Sequence, residues 1–262
     1  MSKGIQSIEH GFLLLDALRE AGEPVQMGRL AASAKMTTSK ARAYLISLMK
    51  TGLVVQVNGN GPYELGPSAI LLGMEALRRI DALQTARRLM AELDQLTRLP
   101  LVLTMWDGDH ATVVAQNESV EDFPVEFRVG RPLLALTRTA AGLIYLAYLP
   151  QALTTMQVRK ELAENPKYPD TRHITAQYLA EQIERVKAEG ISVIDGIRVS
   201  SGIVLDGYSA IGLPVVDPVQ RRCFAITMFF DRASSETRRA ELFGIARKAL
   251  DQTVPARPLE EY

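Results

Sequence analysis

Basic side chains without acidic neighbours fill the segment from Pro24 to Tyr63, although the whole chain balances 30 lysines and arginines against 30 acidic residues. The basic residues of this segment are Arg29, Lys35, Lys40, Arg42 and Lys50. A local positive strip of this kind could neutralise phosphate groups, whereas zero net charge excludes a wholly cationic nucleic-acid coat. A solvated basic surface would have the same charges, so the choice depends on the elements that carry the strip.

Residues suited to catalysis or metal binding do not form a recognisable constellation. His10, His110 and His173 are far apart and lack Cys or His partners at ligand spacing, so we expect no metal site. Ser209 lies between Gly207 and Gly212, but the second glycine comes one residue too late for a nucleophile elbow. The chain has no Walker loop and no dinucleotide fingerprint. We therefore expect no cofactor, no catalytic residue and no enzymatic activity.

The basic strip coincides with a predicted helix-turn-helix. One short helix covers Val25–Ala32, and a second covers Thr37–Lys50, in which Ala41, Tyr44, Leu45 and Leu48 form the buried stripe. The remaining side chains then face solvent, where double-stranded DNA would lie. We expect Lys50 and Arg29 to contact mainly phosphates, and the first turns of the second helix to lie nearest to the base edges. The predicted DNA-binding residues are Arg29, Thr37, Thr38, Ser39, Lys40, Arg42, Lys50, Asn58 and Asn60.

The flanks of this motif predict a winged helix. Before it, a first helix carries an apolar stripe at helical spacing, formed by Ile5, Ile8, Phe12, Leu15 and Leu18. After it, the segments 53–57 and 63–65 read as two strands joined by a turn at 58–61. The turn either approaches the phosphate backbone as a wing tip or is simply a good hairpin turn.

A boundary near Gly66-Pro67-Ser68 separates this winged helix, residues 1–67, from a linker helix at 68–81 and a larger domain at 82–262. The linker carries one apolar face, which we expect to be buried between subunits or against the larger domain. That face consists of Ile70, Leu71, Met74, Leu77 and Ile80. A further helix over 83–97 should turn Ala86, Leu89, Leu93 and Leu96 inward.

Hairpins mixed with helices predict an α+β fold with a mainly antiparallel sheet for the larger domain. The expected strands are 101–106, 111–116, 125–129, 192–194, 209–216 and 223–230. The expected helices are 139–149, 176–189 and 234–251, with a loop at 165–172. Such a sheet covered by helices can leave a pocket between the layers.

Polar residues in the late strands indicate where that pocket would lie. Thr227 and Ser209 are the polar residues, with Tyr208, Met105 and Phe229 as walls. Arg128, Arg131 and Arg138 precede the predicted helix start at Thr139. A helix N-terminus beside arginines suits an anion, so we add Arg131 and Thr139 to the predicted effector-binding residues. An apolar body with an anionic end favours an aromatic or medium-length carboxylate over a very small acid such as glyoxylate. Alternatively, the arginines are surface charges and Thr227 only fills a strand.

Taken in order, several segments resemble the IclR family of bacterial transcription regulators over nearly the whole chain. They are 63–66 at the end of the wing, 130–133 followed by 139–142, 181–190, and 207–217, the most specific match. The resemblance implies a GAF-like effector domain, homodimers or dimers of dimers, and a small organic acid as effector. It also implies a pocket lined by Tyr208, Ala210, Thr227 and Phe229.

Together these features predict a ligand-responsive DNA-binding regulator of a metabolic operon. The single cysteine rules out an intrachain disulfide, and no apolar run is long enough to span a membrane, so we expect a cytoplasmic protein. Two alternatives remain open: an enzyme acting on a small acid with a DNA-tethering domain, and a constitutive DNA-binding scaffold with a filled pocket. The sequence leaves open whether effector binding releases the operator or recruits RNA polymerase.

Overall fold

The computed structural model describes residues 4–108, 110–120, 124, 127–133, 135–164, 171–198, 204–251 and 257–259. The chain divides into two compact units, residues 1–79 and 80–262. The helices of the first unit are α1 (Gln6–Ala21), α2 (Met27–Ser33), α3 (Thr38–Lys50) and α4 (Pro67–Arg78), and its strands are β1 (Val54–Gln56) and β2 (Tyr63–Leu65).

The second unit alternates helices with the strands of one sheet. Its helices are α5 (Asp81–Thr97), α6 (Ala140–Tyr148), α7 (Gln151–Glu164), α8 (Ala176–Glu189) and α9 (Glu236–Asp251). Its strands are β3 (Leu101–Trp106), β4 (Ala111–Gln116), β5 (Pro132–Leu133), β6 (Ser192–Arg198), β7 (Val204–Asp217) and β8 (Arg222–Asp231). No helix within the described ranges combines the length and apolarity needed to cross a membrane.

The first unit has the winged-helix architecture that its sequence predicts. α1 ends at Gly22, whose φ of 64° is the left-handed conformation that glycine accommodates without strain. The helices pack around a core that includes Leu14, Leu30 and Leu45, all fully buried. β1 and β2 then form an antiparallel hairpin.

The predicted apolar stripe of α1 is buried only towards its C-terminal end. Ile5, Ile8 and Phe12 are 65–68% exposed, whereas Leu18 of the same stripe is buried and Leu15 is partly buried against the core. Leu14, outside the predicted stripe, is fully buried, and periodicity alone does not say which apolar residues pack on the core. The N-terminal part of the stripe therefore lies on the surface of this unit.

The predicted linker face is likewise unburied. No residue of α4 is buried within the structure, and Ile70, Leu71 and Met74 are each more than half exposed. Ile80 does not belong to this helix: it is buried at the N-cap position of α5. The expectation that all five residues share one helix face was wrong for Ile80, whereas burial of the other four between subunits stays a prediction.

The sheet of the second unit has the strand order β5-β4-β3-β8-β7-β6, and every neighbouring pair is antiparallel. Because side chains alternate along a strand, β8 presents two faces. Cys223 and Ala225 pack in one cluster with residues of α6, and Phe230 on the other face lies under Arg239 of α9. α6 thus covers one face, and α9 together with α5 covers the other.

Three details of the second unit differ from the sequence predictions, and a fourth prediction falls outside the described residues. Residues 127–129 are not a strand, and 125–126 lie outside the described residues; the edge strand is β5, which pairs with β4. α7 was not predicted, because its apolar residues follow no clear stripe. Leu96 is 65% exposed, since the inward face of α5 continues from Leu93 to Thr97. Of the predicted loop at 165–172, residues 165–170 lie outside the described part.

Candidate DNA interface and effector site

The predicted DNA-binding side chains of α3 share its exposed face. Thr38, Ser39, Lys40 and Arg42 are exposed on the first turns, and Lys50 is exposed at the last turn. This arrangement follows from the buried stripe, in which Ala41 and Leu45 are fully buried. Basic and hydroxyl groups therefore lie together along one side of the helix, where they could meet phosphates and base edges.

Thr37 has a role that its prediction as a DNA contact did not include. It is the N-cap of α3, and its hydroxyl accepts a hydrogen bond from the backbone N–H of Lys40 at 3.3 Å. An N-cap hydroxyl satisfies one of the donors that a helix start leaves unpaired. Thr37 thereby fixes where α3 begins.

Arg29 lies on α2 and is engaged in an ion pair. Its Nη1 lies 3.0 Å from Oε1 of Glu23, one residue before the acid-free segment begins, and both side chains are more than half exposed. Exposed ion pairs of this kind contribute little free energy. Exchange of the carboxylate for a DNA phosphate would therefore cost little.

The wing tip is a tight turn with both predicted asparagines exposed. Asn58 has a φ of 53°, a left-handed conformation that asparagine tolerates better than most residues. The side chain of Gln56 closes the turn by donating a hydrogen bond to the carbonyl of Gly61 at 3.0 Å. Asn58 and Asn60 are thus presented on a defined hairpin end.

In the second unit, the late strands place four predicted effector-binding residues on the face that α6 covers. Ala210 lies opposite Phe229 in the register of β7 and β8, and Tyr208 and Thr227 lie two residues from them along their strands. Ala210 and Phe229 are buried in one apolar cluster, against which Tyr208 packs. The ring of Phe127 stacks on Phe229 with centroids 5.2 Å apart.

Thr227 is the polar group in this otherwise apolar environment. Its side chain is 3% exposed, and its hydroxyl has no hydrogen-bond partner within the described residues. The cross-strand neighbour is Gly212, where an added Cβ would lie 2.9 Å from the carbonyl oxygen of Ala140 at the start of α6. α6 therefore lies close to the sheet beside Thr227, and an unpaired buried hydroxyl costs free energy that a ligand could return.

Two predicted effector residues lie on the opposite sheet face. Met105 pairs with Phe224 in the β3–β8 register, and Ser209 pairs with Phe230, both on the α5 and α9 side. Strand alternation is the reason: Ser209 lies between Tyr208 and Ala210, so it cannot share their face. We therefore place Met105 and Ser209 outside the proposed pocket.

Ser209 instead belongs to a polar cluster that joins β6, β7 and α9. Its hydroxyl donates to Oδ1 of Asp195 at 2.6 Å, and Nη2 of Arg239 reaches the same oxygen at 2.6 Å. Burial raises the pKa of the Asp195 carboxyl, but the hydrogen bonds from Ser209 and Arg239 outweigh it, and the net pKa is lowered. The cluster thus holds an ionised carboxylate at this edge of the sheet.

The start of α6 is built by a loop that the sequence did not identify as structural. Thr139 caps the helix: its hydroxyl accepts from the N–H of Gly142 at 3.0 Å and donates to the carbonyl of Ala135 at 2.6 Å. An added Cβ at Gly142 would collide with the backbone of Leu136. The predicted effector contact Thr139 therefore already uses its hydroxyl within the fold.

A buried carboxylate from α7 holds the same loop. Glu161 is 2% exposed, and its two oxygens accept from the N–H of Leu136 at 2.9 Å and from the N–H and hydroxyl of Thr137 at 2.8 and 2.7 Å. Gln157 donates to it from the same helix at 2.9 Å. The only sequence signal was a glutamate on a helix without a clear apolar stripe.

The arginines that precede α6 differ in their surroundings. Arg128 is exposed, whereas Arg131 and Arg138 are half-buried. The backbone of Arg131 is fixed by two hydrogen bonds, its N–H to the carbonyl of Arg128 and its carbonyl from the N–H of Val113. Nε of Arg138 is buried and has no hydrogen-bond partner within the described residues. Arg138 is therefore at least as suitable for an anion as the predicted Arg131.

The other side chains with potential reactivity, Tyr145 and Cys223, are buried in the core. The hydroxyls of Tyr145 and Thr104 lie 2.7 Å apart in the core, and burial raises the pKa of Tyr145 well above its usual range. Burial also raises the pKa of the Cys223 thiol, which keeps it protonated and poorly nucleophilic. The part of the chain that the structure describes contains no cluster of His, Cys, Asp and Glu able to hold a metal ion.

Family models match both units. Residues 7–58 match the IclR helix-turn-helix domain, and residues 74–253 match the bacterial transcriptional regulator IclR C-terminal domain. A curated relative, the HTH-type transcriptional regulator BhcR of Paracoccus denitrificans, is 23% identical over 252 residues, covering 94% of this chain and 89% of the relative.

Solved structures show the same fold. A putative IclR transcriptional regulator from Silicibacter sp. TM1040 has a TM-score of 0.75 at 19% identity and covers 93% of this chain and 92% of its own. An IclR homologue from Microbacterium hydrocarbonoxydans, crystallised as a complex with 4-hydroxybenzoate, has a TM-score of 0.72 at 16% identity, covering 93% and 97%. The chain belongs to the IclR family of bacterial transcription regulators, with a helix-turn-helix DNA-binding domain followed by an effector-binding domain.

Proposed function

We propose that this regulator binds an operator through α3, the recognition helix, and responds to a small organic acid held between α6 and the sheet of its second unit. The buried hydroxyl of Thr227, which has no hydrogen-bond partner among the described residues, is the observation that carries the effector half of the proposal. The exposed basic and hydroxyl side chains of α3 support the DNA half. The protein then acts in the cytoplasm on a metabolic operon, and no catalytic step is needed.

The proposed DNA contacts follow the exposed face of α3. Lys40 and Arg42 lie on its first turns, which in helix-turn-helix proteins meet base edges in the major groove. Lys50 at its end, Arg29 on α2 and the wing-tip asparagines would contact phosphates. Two copies would place their recognition helices in successive major grooves, with half-sites one helical turn or a multiple apart.

The proposed effector is an aromatic or medium-length carboxylate. Phe229, Phe127 and Tyr208 offer a flat apolar surface, and Thr227 offers a hydrogen bond beside it. Arg138, with its buried Nε lacking a partner within the described residues, would bind the carboxylate. The 4-hydroxybenzoate complex of a structural relative is consistent with this class of ligand, which we favour over a very small acid such as glyoxylate.

Homodimer formation, or a dimer of dimers, is part of the proposal. The exposed apolar stripe of α1, defined by Ile5, Ile8 and Phe12, and the exposed apolar residues of α4 lie in the same unit. Clusters of exposed large apolar side chains mark interaction sites more often than free surface. A second copy is the occupant that two-fold operator binding requires.

The DNA half is tested with an operator duplex that the parent protein selects from a random-sequence library. We expect Arg42→Ala to lower operator affinity by about 1–3 kcal/mol if the side chain contacts a guanine edge. Lys50→Ala should weaken operator and shuffled duplex equally and reduce the salt dependence of binding. The matched control is Ala43→Ser, also exposed on α3 but without a charge change. Parent-like binding by both charge variants would leave the basic strip as an ordinary solvated surface.

The effector half is tested by a thermal-shift screen against aromatic and aliphatic acids, followed by calorimetric titration. A ligand at 100 times its dissociation constant should stabilise the protein by about 2.7 kcal/mol. Thr227→Val should lose affinity for that ligand, whereas Met228→Leu, the next residue on the opposite sheet face, should retain it. Equal affinity of parent and Thr227→Val would place the ligand elsewhere.

A further inference from the structure

The first turn of α3 has a contact with α1 that the proposed function does not use. Nζ of Lys40 lies 3.0 Å from Nε2 of His10, and the hydroxyl of Tyr44 lies 3.4 Å from Nδ1 of the same ring. The rings of His10 and Tyr44 are tilted with centroids 5.7 Å apart. Because His10 is 30 residues before Lys40, this contact exists only when α1 packs on α3.

The chemistry of the three groups defines their hydrogen bonds. A lysine ammonium has donors only, so Nε2 of His10 is the acceptor in this contact. The matching tautomer has its ring hydrogen on Nδ1, which can donate to the hydroxyl oxygen of Tyr44. The contact therefore holds the ammonium in a direction set by a ring that is itself oriented by Tyr44.

We propose that His10 is a positioning residue for sequence recognition: it fixes the Lys40 ammonium beside the first turns of α3. This inference rests on the proposed role of α3 in the major groove. Lys40 is exposed, and an unrestrained lysine has several flexible torsions that can reach many phosphates. A side chain fixed before binding loses less entropy when it contacts DNA at the position it already points to, and it reaches fewer alternative DNA contacts. The restraint should therefore raise affinity for one operator sequence relative to affinity for other sequences.

Lys50 provides the contrast on the same helix. It is exposed at the last turn of α3, and it has no hydrogen bond to another side chain within the described residues. A lysine of this kind contributes to binding mainly as a mobile charge at phosphates. Lys40 and Lys50 thus differ in restraint and not in charge, which makes Lys50 the matched control.

The experiment measures fluorescence anisotropy titrations on full-length protein, with the selected operator duplex and a shuffled duplex of the same composition. His10→Leu removes the acceptor at similar size, whereas His10→Gln retains an amide oxygen that can accept from Lys40. Both substitutions are also made in the Lys40→Ala and Lys50→Ala backgrounds. Thermal unfolding of each variant reports whether the first unit remains folded.

We expect His10→Leu to lower the ratio of operator affinity to shuffled-duplex affinity roughly three- to tenfold, with shuffled-duplex affinity nearly unchanged. His10→Gln should recover most of the ratio. The effect of His10→Leu should persist with Lys50→Ala and disappear with Lys40→Ala. An equal effect in the Lys40→Ala background, or no recovery by a folded His10→Gln protein, would overturn the positioning role.

Failure of the underlying proposal gives a different pattern. If Lys40→Ala and Arg42→Ala both bind the operator as the parent does, α3 is not the element that contacts it. If those variants lose affinity while a folded His10→Leu protein keeps the parent's ratio, α3 contacts the operator and only the role of His10 is wrong.

Discussion

The two units keep their functional polar groups in opposite environments. In the first unit, the proposed DNA contacts on α3 and the wing are exposed and already surrounded by water. In the second unit, the proposed effector contact Thr227 is buried, and the three buried side-chain atoms without a hydrogen-bond partner in the described residues, on Thr227, Trp106 and Arg138, all belong to that unit.

The two proposed kinds of ligand would account for this difference. A DNA duplex is large and charged, so exposed cations on one helix suffice to meet it, and their loss from water is repaid by released counterions. A small acid must be enclosed to be recognised, so its partners must be buried before it arrives. Enclosure costs stability, because unpaired buried groups lose their bonds to water. In the second unit, Glu161 supports the loop that precedes α6 with buried hydrogen bonds.

The largest expected effect is the loss of this support. Glu161→Ala leaves three buried donors of Leu136 and Thr137 without an acceptor, at roughly 1–3 kcal/mol each, so the free energy of unfolding should fall by about 3 kcal/mol or more. The fluorescence of Trp106, the single tryptophan, reports urea unfolding of the second unit. Glu184→Ala, which removes an exposed glutamate of α8, is the control and should cost less than about 1 kcal/mol. Equal losses for both variants would mean that the buried contacts of Glu161 add nothing.

A second prediction concerns the exposed apolar stripe of α1. Phe12→Glu places a charge where a second copy should pack, so dimer dissociation should become easier by about 2 kcal/mol or more while each unit stays folded. Sedimentation velocity across a concentration series measures the change. Ser7→Glu, which adds the same charge at an exposed polar position of the same helix, should leave the dimer intact. An unaltered sedimentation profile for Phe12→Glu would remove α1 from the interface.

A third prediction compares parent and Thr227→Val without ligand. Because the Thr227 hydroxyl has no partner in the described structure, the isosteric valine should raise the free energy of unfolding by about 1 kcal/mol. The same variant should bind effector more weakly, so stability and function would change in opposite directions. Urea unfolding followed by Trp106 fluorescence measures the first effect. A destabilised variant would show that the hydroxyl is satisfied in the free protein and would weaken its role as a ligand contact.

The sequence predicts the first unit better than the second for a physical reason. The exposed face of α3 follows from one buried stripe on one helix, so Lys40, Arg42 and Lys50 could be placed by periodicity alone. The contact of Lys40 with His10 could not, because it depends on how α1 packs against α3. The exposure of Ile5, Ile8 and Phe12 has the same cause, since only packing decides which apolar residues of a helix are buried.

In the second unit, strand alternation could be predicted and would have excluded Ser209 from the face of Tyr208 and Ala210. Met105 required the β3–β8 register, which joins strands more than a hundred residues apart. The Glu161 contacts with Leu136 and Thr137 likewise link α7 to a loop distant in sequence, and no local sequence pattern predicts them. What the sequence could not provide was therefore the long-range pairing.

The smallest expected effect separates two roles of Thr37, which was predicted as a DNA contact and is found as the N-cap of α3. Thr37→Ala should destabilise the start of this helix by about 0.5–2 kcal/mol, whereas Thr37→Ser keeps a capping oxygen and should cost little. Hydrogen–deuterium exchange of backbone amides in the first turns of α3 measures the cap without DNA present. Operator affinity measured on the same variants then distinguishes a capping role of Thr37 from a direct DNA contact. If Thr37 acts only through the cap, affinity should follow helix protection, and Thr37→Ser should bind as the parent does. If Thr37→Ser retains protection but loses affinity, the threonine methyl group contacts the operator directly, and the DNA-contacting surface extends one residue before the helix begins.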